Sequence, residues 1–222
     1  MSARGDGGGD VAVIGLGRFG CHLATALNRL GHQVLAVDRD ANQVQRWSST
    51  LDRVVQADAT EEAALRQLGL GDFHRVVVAI GASVEASVLT VLALTEVGVP
   101  QIWARATSEK HARILNSVGA HHVVFPEAEI GERVAHLIVS RMLDFIGFGD
   151  DFAIAKVAVP PPLVGRPLSE LALSEQHGVR VVGAKAPGEP FRYATPDTVV
   201  STGGVLIVEG TIAQVQEFAA LR

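Results

Sequence analysis

From Val11 to about Arg141 the chain alternates between two patterns. Short continuous runs of Val, Ile, Leu and Ala are separated by stretches in which apolar residues recur every three or four positions. The continuous runs predict strands covered on both faces at Val11–Gly15, Gln33–Asp38, Arg53–Asp58, Arg75–Ile80, Gln101–Ala106 and His121–Phe125. The periodic stretches predict helices over Phe19–Leu30, Ala41–Ser48, Thr60–Leu68, Val84–Val97 and Ser108–Val118. In the first of these, Phe19, Leu23, Leu27 and Leu30 form one stripe, and Gly31 supplies the stop. Six strands alternating with helices define an α/β fold, a Rossmann-like doubly wound parallel sheet with right-handed crossovers.

The pattern changes further on. Ile130–Phe145 predicts a linking helix, followed by Gly147 to Asp151, where two Gly and two Asp signal a domain boundary. Beyond it, strands are expected at Ile154–Val159, Val179–Lys185, Phe191–Thr195 and Val205–Glu209, with helices at Ser169–His177 and Ile212–Ala220. That is a small α+β domain of β-α-β-β-β-α order, near the lower size limit for independent folding and so expected to pair or pack. The expected division is a nucleotide-binding domain over 11–147, linking helix 130–145 included, and a regulatory or dimerisation domain over 152–222. Residues 1–10, rich in Gly and Asp, are expected to form a disordered leader.

Composition narrows the class. Among 222 residues, 19 Lys plus Arg against 24 Asp plus Glu leave a net charge of −5, which argues against nucleic acid as a partner. The mean hydropathy is positive, +0.27, yet no charge-free apolar run reaches the roughly 18 residues of a membrane span. The most apolar stretch, Val76–Val99, contains Glu85 and Glu96, so no direct membrane insertion is expected. The N-terminus has no apolar core of a signal peptide. One cysteine, Cys21, allows neither an intrachain disulfide nor a thiolate zinc cage, in keeping with a cytoplasmic location.

The chemistry-bearing motif is Gly15-Leu16-Gly17-Arg18-Phe19-Gly20, a G-x-G-x-x-G that follows the first strand and opens a helix. Gly15 permits the tight turn, Gly17 lets the backbone approach a diphosphate, and Gly20 lets helix and strand pack closely, while the helix N-terminus offers N–H donors to phosphate. The second strand ends in Asp38, placed to accept hydrogen bonds from a ribose. Its carboxylate would repel a 2′-phosphate, whereas Arg39 beside it pulls the other way. Arg18 either reaches a phosphate beyond the diphosphate or faces solvent in the first helical turn. Asp58 either faces the ligand with Ala59 or caps the helix expected from Thr60. Arg105 lies near the end of the fifth strand, at the edge where open α/β sheets bind ligands. His121 and His122, neighbours at a strand start, point to opposite faces and do not chelate one metal. The C-terminal segment contains one His, His177, and one Tyr, Tyr193, too little for the acid/base group and substrate clamp of a hydride-transfer enzyme.

VAVIGLGRFG, Asp38, Ala57-Asp58-Ala59-Thr60, VVVAIGASVEAS, QIWARA, HARILNSVGAHHVVFPE and the C-terminal pattern together resemble the regulatory RCK proteins of bacterial Trk and Ktr potassium-uptake systems (the KtrA/TrkA family). The resemblance implies a non-enzymatic subunit that gates a membrane-embedded potassium channel subunit from the cytoplasm, built as dimers assembled into an octameric ring. It also implies ATP and ADP as alternative ligands, with NAD or NADH in Trk-type relatives. Gly15, Gly17 and Gly20 would line the phosphates, Asp38 would hold the ribose, and Asp58 with Ile80 and Gly81 would surround the adenine. Arg18 would contact the terminal phosphate, and Arg105 would be a basic nucleotide contact where Lys is common. Glu127 matches an acid that binds a divalent cation, Mg or Ca, at the subunit interface. The alternatives are an NAD-dependent oxidoreductase and an RCK regulator of another cation transporter.

Overall fold

The computed structural model of the chain describes residues 10–222. The expected leader falls outside that range except for Asp10, which pairs with Arg53 at 3.6 Å. The chain divides into two compact units, one ending at Pro126 and the other beginning at Glu127.

The first unit contains β1 (Val11–Ile14), α1 (Arg18–Arg29), β2 (Val34–Asp38), α2 (Ala41–Trp47), β3 (Arg53–Gln56), α3 (Glu62–Gln67), β4 (Arg75–Val78), α4 (Val84–Val97), β5 (Gln101–Arg105), α5 (Glu109–Ser117) and β6 (His122–Val124). All six strands pair in parallel, in the order β3-β2-β1-β4-β5-β6. Alternate residues of each strand feed opposite faces. Ile14, Leu35, Val37, Val76, Val78 and Ile102 join Leu65, Val91, Leu94 and Leu115 from α3, α4 and α5 on one side. Val13, Val34 and Ala36 join Ala24 and Leu51 on the other, with Phe19, Leu23, Leu27 and Trp47 packed around them. Because β1 lies between β2 and β4, the chain leaves it in one direction and returns on the other side, which opens a crevice at the carboxyl ends of those strands.

Local signals set the helix starts. Asp40 accepts from Asn42 N–H at α2, Ser83 from Ala86 N–H at α4, and Ser108 from His111 N–H at α5. By contrast α1 begins at Gly17 with no side-chain cap and no acid in its first turn. Its first N–H groups and positive dipole end are thus left for an anion.

The second unit contains α6 (Pro126–Val139, starting at the boundary), β7 (Met142–Gly147), β8 (Phe152–Ala158), α7 (Leu173–His177), β9 (Arg180–Lys185), β10 (Arg192–Tyr193), β11 (Val205–Thr211) and α8 (Ile212–Ala219). Its antiparallel sheet runs β10-β9-β11-β8-β7. Ala153, Ala155 and Val157 of β8 and Leu206 and Val208 of β11 point inward against Val215 and Phe218 of α8.

Two expectations are corrected here. The linking helix does not continue to Phe145. It stops at Val139, and Met142–Gly147 pairs antiparallel with β8. Apolar residues at 142, 143, 145 and 146 suit either periodicity. Met142 and Phe145 are buried while Leu143 and Ile146 face out, a three-residue spacing that the strand accommodates through the register shift between Met142 and Asp144. Pairing with β8 selects the strand, and Ser140 at the helix end bonds its hydroxyl to His136 O. The Gly/Asp segment forms the hairpin turn between β7 and β8, where Phe148 N–H donates to Phe152 O at 2.9 Å. The division lies some twenty residues earlier, at Pro126. The strand expected at Phe191–Thr195 shortens to Arg192–Tyr193, between Pro190 and Pro196, neither of which has an N–H for a ladder.

Candidate nucleotide-binding site

The crevice of the first unit is a cavity of about 410 Å³. Every strand from β1 to β5 contributes residues at or just past its carboxyl end. These are Gly15 and Gly17 with Arg18, then Asp38 with Arg39, then Ala57 to Thr60, then Ala79 to Ser83, and finally Arg105. Ten of the twelve expected nucleotide contacts line it: Gly15, Gly17, Arg18, Asp38, Arg39, Asp58, Ala59, Ile80, Gly81 and Arg105.

Three glycines play three physically different parts. Gly15 has φ +97°, where a side chain is strained. A Cβ on Gly20 would collide with the Gly15 carbonyl oxygen, so Gly20 is a packing residue rather than part of the cavity lining. Gly17 has φ −66° and nothing within 4 Å of where a Cβ would stand. Neither backbone nor neighbours demand glycine there, and what it keeps clear is the mouth of α1.

Phe19 is the other expected contact outside the lining. Its ring packs with Leu23 and Leu27 against the Val13, Leu16 and Ala24 side of the sheet. Glu127 is also outside the cavity, in the first turn of α6 with Glu129.

Asp38 ties the loops together. Its Oδ2 accepts from Leu16 N–H at 2.6 Å and its Oδ1 from Asp40 N–H at 2.8 Å, which couples the end of β2 to the glycine turn and to the start of α2. Each oxygen retains a further lone pair for a ligand hydroxyl. Asp58 is not the cap of α3, whose N-cap is Glu61. Its Oδ1 accepts from the Thr60 hydroxyl at 2.7 Å and from Thr60 N–H at 3.0 Å, within the loop after β3. The Thr60 hydroxyl first, then the Thr60 N–H and the charge of Arg39 hold the Asp58 carboxyl below its usual range, so it is an anion at neutral pH.

On the opposite wall Arg105 packs its guanidinium over Gly81, where a Cβ would overlap it. Behind Arg105, His111 is buried, 2% exposed. Its Nδ1 accepts from Thr107 N–H at 3.3 Å, which fixes the turn that follows β5. Burial, then the Arg105 charge, pushes the His111 imidazole below its usual value and keeps it neutral.

The sequence reading missed Asp40, Gln43, Ser83, Ala86 and Thr90. The last three form a stripe on α4 at positions i, i+3 and i+7, a helical spacing that starts from the cap and was legible in principle.

A parallel sheet with an uncapped phosphate loop, an acid after β2 and a basic far wall defines a Rossmann-type nucleotide-binding unit, here joined to a smaller α+β unit. The TrkA-N domain model matches residues 11–126 and the TrkA-C domain model residues 152–222. Ktr system potassium uptake protein A of Vibrio alginolyticus is 38% identical over 90% of this chain and 91% of its own length. Ktr system potassium uptake protein C of Bacillus subtilis (strain 168) is 34% identical over 94% of this chain and 95% of its own. The chain belongs to this family of Trk and Ktr potassium-uptake proteins. Among solved structures, the GsuK RCK domain matches with a TM-score of 0.53 at 26% identity, over 95% of this chain and 45% of that one. The GsuK channel bound to NAD matches with a TM-score of 0.52 at 25% identity, over 97% and 39%. This chain therefore spans less than half the length of those solved chains.

Proposed function

We propose that the protein is a cytoplasmic, non-catalytic regulatory subunit of a potassium-uptake system, which senses adenine nucleotides in the β1–β5 crevice and gates a membrane-embedded channel partner. The observation that carries the ligand class is the distribution of charge around the cavity. Asp38, Asp40 and Asp58 gather after β2 and β3, where ribose hydroxyls and a base find acceptors. Arg18 and Arg105 flank the glycine turn and the β5 wall. A nucleoside di- or triphosphate places its hydroxyls on the first side and its anionic end on the second. ATP and ADP then differ by one charged group near the arginines, and the ligand shifts the protein only through its unequal affinity for two shapes.

The relatives' names support the potassium-uptake role, and among the described residues no helix is long and apolar enough to cross a membrane. Exposed apolar side chains support assembly into dimers and an octameric ring. Ile138 and Val139 of α6 are each 77% exposed, and Leu143, Ile146 and Phe148 lie open on and beside β7. Among the described residues no three His, Cys, Asp or Glu gather into a metal site. A divalent cation, Mg or Ca, at Glu127 would lie at the subunit interface, with oxygen ligands from a second copy, waters or main-chain carbonyls completing its shell.

The second reading is NAD or NADH in the same crevice, favoured by the similar GsuK structure with NAD. Thermal-shift titration of the full chain with ATP, ADP, NADH and NADPH separates the two, because a ligand that prefers the folded state raises the melting temperature. Stabilisation by ATP and ADP is expected. Stabilisation by NADH with none from either adenine nucleotide overturns the proposal, and light scattering that finds only monomers at working concentration removes the ring.

A further inference from the structure

Helix α4 packs against β4 and β5 and turns Ser83, Ala86 and Thr90 toward the cavity. Thr90 is 0% exposed, and its Oγ1 has no hydrogen-bond partner. Such a hydroxyl in mid-helix ordinarily bonds back to the carbonyl one turn earlier. Two other helical threonines of this protein do so: Thr25 Oγ1 donates to Cys21 O at 2.8 Å and Thr95 Oγ1 to Val91 O at 2.9 Å. Thr90 forgoes that bond although it stands in the wall of the crevice, and a buried hydroxyl left unpaired is costly enough that a partner is expected at that wall.

The surroundings indicate what the partner is. Thr90 lines the cavity from α4, the helix between β4 and β5, and Arg105 and the glycine turn with Arg18 line the same cavity. The acids, all with acceptors only, follow β2 and β3. A donor hydroxyl in a cavity that also gathers Arg18, Arg105 and the uncapped start of α1 is matched by an anionic acceptor.

We propose that Thr90 is a ligand-reading residue, whose buried hydroxyl donates a hydrogen bond to a phosphate oxygen of the bound nucleotide, directly or through one water. The inference rests on the nucleotide-binding reading above and adds a contact that the glycine motif does not contain. Ser87, one turn earlier on the same helix, supplies an internal control. It too is 0% exposed with an unpartnered Oγ, but it does not line the cavity.

The test is calorimetric titration of the full chain with ADP, NADH and adenosine, alongside melting curves without ligand, for the unaltered protein, Thr90→Val, Thr90→Ser and Ser87→Ala. Valine keeps the shape and removes the hydroxyl. Thr90→Val should melt at or above the unaltered protein when free, yet bind ADP about tenfold more weakly, the size of one hydrogen bond to a charged group. Thr90→Ser should restore ADP affinity. Adenosine binding should be the same in both Thr90 variants and the unaltered protein, and Ser87→Ala should leave every affinity alone. Equal ADP affinity in Thr90→Val and the unaltered protein overturns the inference alone. So does a lower melting point of free Thr90→Val that Thr90→Ser repairs, which would show the hydroxyl to be satisfied without ligand. If the unaltered protein binds NADH and not ADP, the ATP/ADP reading falls while Thr90 is judged on NADH by the same comparison. If it binds neither, both fall.

Discussion

The two units use similar residues to opposite effect. Each is a sheet of small aliphatic side chains packed on helices, but in the first every strand points the same way, and in the second neighbours alternate. A parallel sheet collects all its carboxyl ends at one edge, so Gly15, Asp38, Asp58, Gly81 and Arg105, spread over 91 positions of sequence, line one cavity. The antiparallel sheet sends successive strand ends to opposite edges and offers no comparable convergence. Binding chemistry therefore comes readily from the first topology, and the second supplies a compact core that leaves Leu143, Ile146 and Phe148 exposed.

The harshest way to break this division of labour is to damage the second core and look for an effect on the first. Phe218 is fully buried among β8, β11 and α7 partners, with the His177 ring edge-on at 5.8 Å. Phe218→Ala should lower the stability of that unit by about 3–5 kcal/mol, in line with large cavity-forming changes. Urea unfolding followed by hydrogen exchange should show the loss confined to residues after Glu127. Nucleotide affinity should stay within about twofold, and a larger drop would mean that the second core reaches the crevice.

A finer comparison sits inside the glycine motif. Gly20→Ala drives a Cβ into the Gly15 carbonyl, so the turn must move, at a cost of about 1–3 kcal/mol and with loss of binding. Gly17→Ala meets no protein atom. It should leave the melting point nearly unchanged, within about 0.5 kcal/mol, and still weaken ADP about tenfold or more if the backbone must approach a phosphate. Equal melting-point losses in the two variants would remove the distinction between a packing glycine and a ligand glycine.

The sequence was most legible where one physical demand acted alone. The central strands β1, β2 and β4 appear as near-continuous aliphatic runs, while β3, β5 and β6, which include Arg, Gln, Trp or His, are legible from their place in the alternation of strands and helices. The residues at the strands' carboxyl ends follow from the topology, which is why Asp38, Asp58 and Arg105 could be expected at one edge without contact information, whereas Ile80 and Gly81 came from the family resemblance; all five line the cavity. Legibility failed where two demands coincide. Met142 to Ile146 fits a helix stripe and a strand face alike, and tertiary pairing with β8 decided it. Phe19 lies inside the motif, but the spacing of glycines says nothing about which side of α1 an intervening residue covers. Thr90 sits in an aliphatic helix and reads as core until its hydroxyl is seen to lack a partner.

The smallest expected effect is a difference in acid response between the units, and its sign follows from linkage. His111 in the first unit has a pKa lowered from the ordinary 6.5 by burial and by Arg105. The unfolded chain binds the proton more readily there, so stability is complete above pH of about 6.5 and declines as pH falls toward the folded pKa. The shifted carboxylates act elsewhere on the scale. Asp58 in the first unit and Asp144 in the second, the latter held down by Phe145 N–H and then by Arg133, contribute stability above 3.8 that is lost only as pH falls through their lower folded values. Between pH 7.5 and 5.5 the protection factors, which correct exchange rates for the intrinsic pH dependence of amide exchange, should therefore fall in the first unit through His111, with no matching contribution from Asp144 in the second. His111→Gln, whose side-chain oxygen can still accept from Thr107 N–H, should flatten that slope without removing the loop contact. A slope unchanged by His111→Gln would assign the acid response to other groups.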